Sequence, residues 1–473
     1  MNIHNGKADD PALILSDGAI SYGELEAYIA MCIVNFQLAG IAPGMRVALY
    51  QPTSSRYVIS LLALIRMGAV ACPISTRLPE SGMHEALDQI NAQAIFYADR
   101  GIARDNSGVS TIYFDAMQTD FDEDEFDDDA DPVPEGLSPD RHATIIFTSG
   151  SSGTPKAAVH SLVNHLESAK ASNANIALEP GDRWLLSLPL FHVGGLGVVF
   201  RCLQAGAAVV LPDADSSLED TLDSQSVSHI SLVSTQLYRL LRDDGATRKL
   251  SSMKAVLMGG SAMPTGVVNS AFEAGIPIHT SFGMTEMATQ ITTTPPGATP
   301  EQLRTSGQSL IKDNCRINSE GEIQVKGPTR FLGYFQNGAL NLPLDQEGWF
   351  STGDCGTFDD EGNLHVTGRV DNQFISGGEN IQPEEIEDYL CQIEGILQAV
   401  VVPVEDDEFG HRPVAFIRSE NEWSEDELKV TLRQSLPGYK IPKNILPWPE
   451  TEMLDGMKVD RKELAVYYAN SIQ

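Results

Sequence analysis

The sequence predicts an α/β protein: a large N-terminal domain of helix-covered β-sheets with a small β-barrel-like part, followed by a small α+β C-terminal domain. Three observations support this fold class. Strand-like apolar runs alternate with helix-like stretches along the N-terminal part. After about residue 305 the chain changes to short β-rich pieces with frequent glycine turns, and a helix–strand–strand–helix pattern starts beyond residue 371. The 473 residues also exceed a single core, which stops growing near about 250 to 300 residues.

The N-terminal elements are predicted from the spacing of apolar residues. In chain order we expect a helix at Tyr22–Leu38, a glycine turn at residues 40–44, a strand at Arg46–Tyr50, a helix at residues 56–67, and strands at residues 68–73, 184–187, 206–211, 229–233 and 254–258. Buried strands that alternate with helices are most simply arranged as sheets covered by helices.

The C-terminal elements are predicted in the same way. In chain order we expect short strands of the barrel-like part at residues 321–326 and 363–368, a helix at 383–392, strands at 399–403 and 412–417, and a helix at 425–434. We place a domain boundary near Asp371. The N-terminal domain then covers residues 1–370 and the C-terminal domain residues 371–473.

The charge balance makes nucleic acid a poor candidate partner. The chain carries 32 basic and 65 acidic residues, a formal net charge of −33, and such a surface repels phosphate backbones. Eight of the acids lie within residues 122–131, which we predict to be a solvated loop. Hydrophobic residues at 42% and charged residues at 21% are typical of a globular protein.

No secretion signal or membrane span is predicted. The N-terminus lacks a basic start followed by an apolar run, and Arg201 interrupts the most apolar later stretch. The cysteines, which show no C-x-x-C spacing, are Cys32, Cys72, Cys202, Cys315, Cys355 and Cys391. This pattern indicates neither a zinc site nor a disulfide framework and fits a reducing cytoplasm. The sequence leaves the oligomeric state open between a monomer and a homo-oligomer.

The strongest local signal is the segment Thr148-Ser-Gly-Ser-Ser-Gly-Thr-Pro-Lys156, which follows an apolar run at residues 143–147. Small residues let backbone N–H groups approach phosphate oxygens, the hydroxyls donate further hydrogen bonds, and Lys156 supplies a cation. The spacing differs from the G-x-x-x-x-G-K-[ST] loop because Pro155 precedes the lysine. Taken alone, the segment predicts a phosphate-binding loop or, alternatively, a flexible Ser/Gly turn.

Further motifs follow at wide separation. They are Leu188-Pro-Leu-Phe-His192, Gly259-Gly-Ser261, Ser281-Phe-Gly-Met-Thr-Glu286, Trp349-Phe-Ser-Thr-Gly-Asp354, Gly368-Arg-Val-Asp371, Ser376-Gly-Gly-Glu-Asn-Ile-Gln-Pro-Glu-Glu-Ile-Glu387 and Gly456-Met-Lys458. With these motifs in this order, the whole chain resembles the adenylate-forming superfamily of acyl-CoA synthetases, luciferases and peptide-synthetase adenylation domains. Within it the chain looks most like the o-succinylbenzoate–CoA ligases of menaquinone biosynthesis, because of its short length and residues 155–160, 231–241 and 409–415.

The resemblance implies an ATP-dependent ligase that uses ATP, Mg²⁺ and coenzyme A. Such an enzyme adenylates the carboxylate of 2-succinylbenzoate and passes the acyl group to CoA, giving 2-succinylbenzoyl-CoA, AMP and diphosphate. The attacking carboxylate and the α-phosphate are both anions, so cations and aligned donors are needed to lower the barrier. In this family the small C-terminal domain is mobile and rotates about a hinge that matches Asp371.

The resemblance also assigns an ATP site. Lys458 matches the mobile catalytic lysine that reaches the carboxylate and the α-phosphate, and Glu286 matches the acid that binds Mg²⁺. Asp354 and Arg369 resemble the pair that contacts the ribose hydroxyls, although a structural ion pair is the alternative. The phosphate-loop residues that we expect to contact ATP, with a catalytic role for the first, are Thr148, Ser149, Gly150, Ser151, Ser152, Gly153, Thr154 and Lys156.

The adenine slot is expected where small residues admit a flat base. The matching positions are Gly259, Gly260, Ser261, Ser281, Phe282, Gly283, Met284 and Thr285. Phe282 departs from the family, in which tyrosine is usual. The phenolic hydroxyl is therefore missing, while stacking of the ring on adenine is kept.

We assign the acyl and CoA sites from the resemblance and from the polarity of the side chains. We expect His192 beside the acyl group and the CoA thiol, with a structural histidine after an apolar strand as the alternative. Gly377 and Gly378 resemble the small-residue strand beside the pantetheine tunnel, or form a plain turn. Polar residues expected to line the acyl pocket are Ser231, Thr235, Gln236 and Thr289, together with Gln290. Ordinary helix caps and turns would use the same residue types.

The sequence leaves two other enzymatic functions open. One is an acyl-CoA ligase for another aryl or short-chain acid, and the other is an adenylation enzyme that loads a carrier protein. A degenerate nucleotide-binding or scaffolding protein is disfavoured, because Lys458, Glu286 and Asp354 are all present.

Overall fold

The computed structural model describes residues 3–97, 109–113, 137–148, 155–213, 216–260, 263–449 and 461–471. The acidic run at residues 122–131, predicted to be a solvated loop, lies outside these ranges. Of the helices in the described ranges, none is long and apolar enough to cross a membrane.

The larger part of the chain alternates strands and helices, as predicted. Its elements are β1 (Pro11–Ile14), β2 (Ala19–Ser21), α1 (Tyr22–Leu38), β3 (Arg46–Tyr50), α2 (Ser55–Met67), β4 (Val70–Pro73), α3 (Glu80–Gln89), β5 (Ala94–Tyr97), β6 (Ser110–Tyr113), β7 (His142–Thr148), β8 (Lys156–Ser161), α4 (Leu162–Asn175), β9 (Arg183–Leu185), α5 (Val193–Ala205), β10 (Ala208–Val210), α6 (Leu218–Ser224), β11 (His229–Leu232), α7 (Ser234–Leu240), α8 (Asp244–Ser251), β12 (Ala255–Met258), α9 (Thr265–Glu273), β13 (Ile278–Met284), a 3₁₀ helix at Thr285–Met287, β14 (Thr289–Thr293), α10 (Pro300–Leu303) and β15 (Gln308–Ser309).

The rest of the chain is richer in short strands. Its elements are β16 (Cys315–Ile317), β17 (Glu322–Val325), β18 (Gly333–Gln336), β19 (Ala339–Asn341), β20 (Phe350–Phe358), β21 (Leu364–Arg369), a 3₁₀ helix at Val370–Asn372, β22 (Phe374–Ser376), β23 (Glu379–Ile381), α11 (Pro383–Cys391), β24 (Ile396–Asp406), β25 (Gly410–Ser419), α12 (Glu425–Leu432), a 3₁₀ helix at Gly438–Lys440, β26 (Ile445–Pro447) and α13 (Arg461–Ser471).

In the part of the chain that the structure describes, the N-terminal domain contains two large sheets. One has the strand order β15-β14-β13-β12-β11-β9-β10-β1-β2 and the other the order β19-β18-β8-β7-β4-β3-β5-β6. A continuous apolar core joins them, with Phe96 of β5 and Trp184 of β9 packed together with Phe36 of α1 and Phe200 of α5. The predicted helix-covered sheets are therefore confirmed.

Local signals in the sequence explain where the first helices begin and end. Ser21 Oγ accepts a hydrogen bond from Glu24 N, and the Glu24 carboxylate accepts one from Ser21 N, so a capping box starts α1. Helix α2 starts after Ser54, whose side chain accepts a hydrogen bond from Tyr57 N. It ends at Gly68, whose φ of +89° is a conformation that favours glycine.

Smaller sheets follow the two large ones. The antiparallel sheet β16-β17-β20-β21 packs against the second large sheet through a cluster that includes Phe331 and Phe350. It corresponds to the predicted barrel-like part. The C-terminal sheet β24-β25-β26 has a separate core, in which Val401 and Ile417 pack on Leu390 of α11 and Leu428 of α12. This separate core makes the C-terminal region a small α+β domain.

Candidate active site

The phosphate loop joins two strands of a β-hairpin in the second large sheet. Strands β7 and β8 are antiparallel, and Thr148 lies opposite Lys156. Gln89 Nε2 donates a hydrogen bond to the Pro155 carbonyl at 2.9 Å and so ties the start of β8 to α3. The loop residues Ser149, Gly150, Ser151, Ser152, Gly153 and Thr154 lie outside the described residues. The hairpin brings the two described ends of the loop, Thr148 and Lys156, side by side.

The candidate metal carboxylate lies in the turn between β13 and β14. Phe331 N donates a hydrogen bond to the Glu286 carbonyl at 2.8 Å, and His160 Nε2 lies 2.7 Å from the Thr285 carbonyl oxygen. Burial lowers the pKa of His160 to about 4, so the ring is neutral near pH 7 and Nε2 carries the proton that it donates. Two adjacent carbonyl groups therefore hold this turn in place.

The Glu286 carboxylate is buried beside a tyrosine. Its residue is 7% exposed, and Tyr334 Oη donates a hydrogen bond to Oε1 at 2.5 Å. Within the described ranges, no Lys, Arg or His side chain forms an ion pair with it. A buried carboxylate usually needs a cation or a metal ion to offset desolvation, and Mg²⁺ prefers oxygen ligands. Glu286 therefore fits a Mg²⁺ ligand.

A Mg²⁺ ion at Glu286 would need further ligands from outside the protein. No group of three or more His, Cys, Asp or Glu side chains in the described ranges could hold a metal ion. Mg²⁺ commonly binds one or two carboxylates and completes its shell with phosphate oxygens and water. The single carboxylate suits an ion that arrives with a nucleotide.

Tyr334 was not among the predicted site residues. It lies on β18, opposite Ala158 of β8, and the Lys156 ammonium sits 5.2 Å from the centroid of its ring. Burial and the adjacent Glu286 raise the pKa of Tyr334, so its hydroxyl stays protonated. The pairing of β18 with β8 joins distant parts of the chain, and no local pattern around Tyr334 indicates it.

The predicted ribose pair lies on neighbouring strands. Asp354 of β20 is opposite Arg369 of β21, and Arg369 Nη1 lies 3.2 Å from Asp354 Oδ1. Arg369 Nη1 also donates to the Thr352 carbonyl at 3.1 Å, and Nη2 lies 3.1 Å from Asp371 Oδ2. Burial opposes the charge on Arg369, but Asp354 and Asp371 outweigh it and raise the pKa of Arg369. The predicted residues are brought together, and the alternative of an ion pair is present as well.

The predicted adenine residues meet at the ends of two parallel strands. Met258 of β12 is opposite Thr280 of β13, and Ser281 Oγ donates a hydrogen bond to the Met258 carbonyl at 2.7 Å. Gly260 follows β12 with a φ of +88°, which favours glycine. Ser261 lies outside the described residues. The structure thus places the two glycines beside the segment that holds Ser281, Phe282, Gly283, Met284 and Thr285.

A buried arginine, also missed as a site residue, lies in the interior of α5. Arg201 is 2% exposed, and its Nη2 donates to Thr289 Oγ1 at 3.2 Å and to Gln290 Oε1 at 2.8 Å. Its guanidinium also lies 5.2 Å from the Trp184 ring centroid. Burial lowers the pKa of Arg201 to about 10, so the side chain stays cationic near pH 7. In the described ranges, Arg201 forms no ion pair with an acidic side chain.

One signal in the sequence could have identified Arg201. Charged residues are almost never fully buried unless they are paired or functional. Arg201 is the charged residue in the otherwise apolar stretch at residues 193–203. The same position that argues against a membrane span is also typical of a binding site.

The predicted acyl-pocket residues have different surroundings. Thr289 is buried, and its Oγ1 lies 2.7 Å from Ser168 Oγ next to Arg201. Ser231 Oγ accepts a hydrogen bond from Trp184 Nε1 at 3.1 Å, so it borders the same group. Gln236 Oε1 accepts a hydrogen bond from Val233 N at 3.0 Å and caps α7, and Thr235 is exposed on that helix.

His192 does not directly follow a strand, contrary to the sequence prediction. Strand β9 ends at Leu185, and His192 is the N-cap residue of α5. The intervening segment includes Pro189, which has no N–H for a sheet ladder and whose carbonyl accepts a hydrogen bond from His192 N at 3.1 Å. The half-exposed His192 therefore sits at the start of the helix that carries Arg201.

The remaining predicted residues belong to the C-terminal domain. Gly377 and Gly378 form the turn of the hairpin β22–β23, with φ of +58° and +88°. A Cβ atom at position 377 would lie 2.8 Å from the Phe409 ring, so this turn requires glycine. Lys458 lies outside the described residues.

Family models and known relatives match nearly the whole chain. Residues 3–335 match the AMP-binding enzyme family, and residues 385–453 match the AMP-binding enzyme C-terminal domain. The 2-succinylbenzoate–CoA ligase of Listeria monocytogenes serotype 4b (strain F2365) is 32% identical over 457 residues, which cover 96% of either chain. The enzyme of the same name from Escherichia coli (strain K12) is 34% identical over 455 residues, covering 96% of this chain and 94% of the relative.

Solved structures agree with these matches. The o-succinylbenzoate CoA synthetase from Bacillus subtilis in complex with the acyl-adenylate intermediate OSB-AMP has a TM-score of 0.84 and 29% identity, covering 96% of this chain and 95% of that one. The complex of the same enzyme with ATP and magnesium ion also has a TM-score of 0.84 and 29% identity, with 96% of both chains covered. Together with the paired phosphate-loop ends, the Glu286 turn and the Asp354–Arg369 pair, these matches show that the chain belongs to the AMP-binding enzyme family of adenylate-forming enzymes.

Proposed function

We propose that this chain is an ATP- and Mg²⁺-dependent ligase that adenylates one carboxylate of 2-succinylbenzoate and transfers the acyl group to CoA, releasing AMP and diphosphate. The relatives named above are ligases of this acid, and one of the structures holds its adenylate. The observation that supports the choice of acid is the buried guanidinium of Arg201, which has no acidic partner in the part of the chain that the structure describes.

The acid has two carboxylates, so one stays charged while the other reacts. A carboxylate that enters a pocket loses its hydration, and a buried cation offsets that loss. The planar guanidinium of Arg201 matches carboxylate geometry, and Thr289 and Gln290 hold one of its nitrogens in place. A fatty acid offers no second charge to this arginine. The geometry therefore favours a dicarboxylic substrate.

The proposal places ATP across the large domain. Adenine would lie between Gly259–Gly260 and the ring of Phe282, and Asp354 would accept hydrogen bonds from the ribose hydroxyls beside Arg369. Thr148 and Lys156 would contact the β- and γ-phosphates with the rest of the phosphate loop. Mg²⁺ at Glu286 would neutralise phosphate charge while diphosphate leaves.

The two half-reactions need different residues. In the first, a carboxylate oxygen attacks the α-phosphate and the bond to diphosphate breaks, and Lys458 stabilises the negative charge on the reacting oxygens. In the second, the CoA sulfur attacks the acyl carbonyl and AMP leaves, with His192 beside the acyl group and Gly377–Gly378 beside pantetheine. The C-terminal domain would rotate about a hinge at Asp371 to exchange these groups.

The proposal includes a cytoplasmic location. All six cysteines are free thiols, which fits a reducing compartment. Monomeric and homo-oligomeric forms are both compatible with the site, because its described residues come from a single chain.

Substitution of Arg201 tests the choice of acid. In Arg201→Leu we expect kcat/KM for 2-succinylbenzoate to fall by about 100-fold, the effect of leaving a buried carboxylate without its cation. Two analogues that each lack one carboxylate, 3-benzoylpropanoate and 2-butyrylbenzoate, identify the activated group. In the variant, kcat/KM for the analogue that reacts should change by less than about threefold. This retained activity would show that the variant is folded.

The activities with the diacid and with the reactive analogue show together whether Arg201 selects the acid. Arg201→Lys keeps the charge but loses the planar fork, so its preference for the diacid should lie between those of the wild type and the leucine variant. An equal loss with the diacid and the reactive analogue in Arg201→Leu would show that Arg201 supports the fold and does not select the acid.

A further inference from the structure

Tyr334 contacts both charged groups of the candidate phosphate and metal site. Its hydroxyl donates to Glu286 Oε1 at 2.5 Å, and the Lys156 ammonium lies 5.2 Å from its ring centroid. The ring packs edge-on against Phe331 at a centroid distance of 4.8 Å. Phe331 N in turn donates to the Glu286 carbonyl at 2.8 Å. One side chain and its neighbour therefore hold the acid through its main chain and its carboxylate.

The hydroxyl fixes the orientation of the carboxylate. A hydrogen bond from a neutral donor to an ionised carboxylate is short and strong, and it selects one rotamer of the acid. Because Tyr334 binds Oε1, the other oxygen, Oε2, would be available to a metal ion. Outer partners of this kind orient metal ligands, and their loss typically weakens metal binding by about 10- to 100-fold.

The ring acts on the lysine by a different contact. The face of an aromatic ring carries negative electrostatic potential and attracts an ammonium group within about 6 Å. Within the described ranges, Lys156 forms no ion pair with an acidic side chain, so the ring is the electrostatic partner that the structure shows for it. The contact places the ammonium over the ring whose hydroxyl binds Glu286, without neutralising the charge of the lysine.

We propose that Tyr334 is a positioning residue that sets the Mg²⁺ carboxylate through its hydroxyl and the phosphate lysine through its ring. This inference rests on the proposed function in one respect, the role of Glu286 as the Mg²⁺ ligand. It does not depend on which acid is the substrate. The two contacts use different parts of the side chain, so two substitutions can separate them.

The variant Tyr334→Phe removes only the hydroxyl. We expect the Kd of Mn²⁺, measured by electron paramagnetic resonance in the presence of α,β-methylene-ATP, to rise by about 10-fold. The KM for Mg²⁺ should rise in parallel, while kcat at saturating Mg²⁺ changes by less than about threefold. The KM for ATP at saturating Mg²⁺ should stay near that of the wild type, because the ring and its contact with Lys156 are retained.

The variant Tyr334→Leu removes the ring as well. We expect the same loss of metal affinity and, in addition, a rise of about 5-fold in the KM for ATP at saturating Mg²⁺. A matched control is Tyr468→Phe, which removes a hydroxyl that donates to Asn444 Oδ1 at 2.7 Å in the C-terminal domain. The control should leave Mn²⁺ affinity unchanged.

A double-mutant cycle distinguishes the loss of the contact between Tyr334 and Glu286 from a general loss of protein stability. In a Glu286→Gln background, Tyr334→Phe should cause no further loss of Mn²⁺ affinity, because the carboxylate that it orients is gone. Equal Mn²⁺ affinity in the wild type and Tyr334→Phe, or an additive loss in the double variant, would overturn the inference. A wild type that binds Mn²⁺ with the nucleotide analogue but makes no 2-succinylbenzoyl thioester would instead contradict the proposed function alone.

Discussion

Two buried charges, Arg201 and Glu286, are the basis of the substrate and the metal site that we propose. Each is desolvated, and neither forms an ion pair with a side chain in the ranges that the structure describes. Leaving a buried ion uncompensated costs several kcal/mol, so each charge is expected to be paired when substrates are present. For this reason we propose an anionic substrate group beside Arg201 and a Mg²⁺ ion beside Glu286.

The two residues differ in how far the sequence predicts them. Glu286 lies in a motif that the resemblance identifies directly. Arg201 lies in an apolar helix, and its role depends on Thr289 and Gln290, which approach it from β14. Tyr334 is harder still to predict, because its contacts arise from the pairing of β18 with β8. Motifs therefore predict the ATP residues, whereas only tertiary contacts point to the residues that we propose select the acid and orient the metal ligand.

Gly353 lies beside Arg369 in a backbone conformation that favours glycine. It has a φ of +75°, and a Cβ atom there would lie 2.8 Å from Arg369 Nη2. In Gly353→Ala the methyl group should displace the guanidinium from Asp354, and we expect the KM for ATP to rise by about 10-fold. The left-handed conformation should also cost about 1–2 kcal/mol of stability. Steady-state kinetics and thermal unfolding measure the two effects separately.

Gly362 offers a matched control for this substitution. Its φ is +82°, and a Cβ atom there would meet no other atom within 4 Å. Gly362→Ala should therefore show a similar loss of stability without a change in the KM for ATP. If the two variants had the same KM for ATP, the contact between position 353 and Arg369 would not matter for nucleotide binding.

Helices and strands are predicted best where their ends carry local signals. Predicted and observed bounds agree for α1 and differ by one residue for α2, because Ser21, Ser54 and Gly68 mark their ends. The C-terminal strands were predicted too short. Strands β24 and β25 pair along their whole length, from Ile396 opposite Ser419 to Asp406 opposite Gly410. This pairing extends them beyond their apolar centres into charged residues, which periodicity alone does not indicate.

The packing of helix α5 makes room for the buried guanidinium of Arg201. Gly197 lies one turn before Arg201, and a Cβ atom there would lie 2.7 Å from Thr289 Cγ2 and 3.2 Å from Arg201 Nη2. Glycine inside a helix costs about 1 kcal/mol relative to alanine. Here it leaves room for the threonine and the guanidinium to meet. The glycines of this helix were not recognised in the sequence as part of a binding site.

A polar contact joins the N-terminal domain to the C-terminal domain. Tyr238 Oη of α7 donates to Glu420 Oε1 at 2.7 Å, and Arg242 pairs with the same carboxylate. Glu420 directly follows β25 of the C-terminal domain. These exposed polar contacts can be exchanged for water at little cost, which is compatible with the proposed rotation of the C-terminal domain. The fold class was predicted from the sequence, but no pattern in it predicts this contact.

Lys458 is the residue on which we expect the two half-reactions to differ. In Lys458→Ala we expect the adenylation half-reaction to fall by about 100-fold or more, because a cation that stabilises transition-state charge is lost. Thioester formation from pre-made acyl-adenylate and CoA should change by less than about threefold. Rapid-quench measurement of each half-reaction separates the two, and an equal loss in both would contradict the proposed role.

The most direct measurement is CoA-thioester formation by the purified protein with ATP and Mg²⁺, comparing 2-succinylbenzoate with benzoate, succinate, acetate and a medium-chain fatty acid. We predict a kcat/KM for 2-succinylbenzoate at least about 100-fold above the others, since each of them lacks the second carboxylate, the aryl ketone or both, and so loses binding energy in the proposed site. A higher kcat/KM for another acid would contradict the proposed substrate. AMP release without thioester would mean that water and not CoA takes the acyl group from the adenylate, and it would favour the alternative of a carrier-loading enzyme.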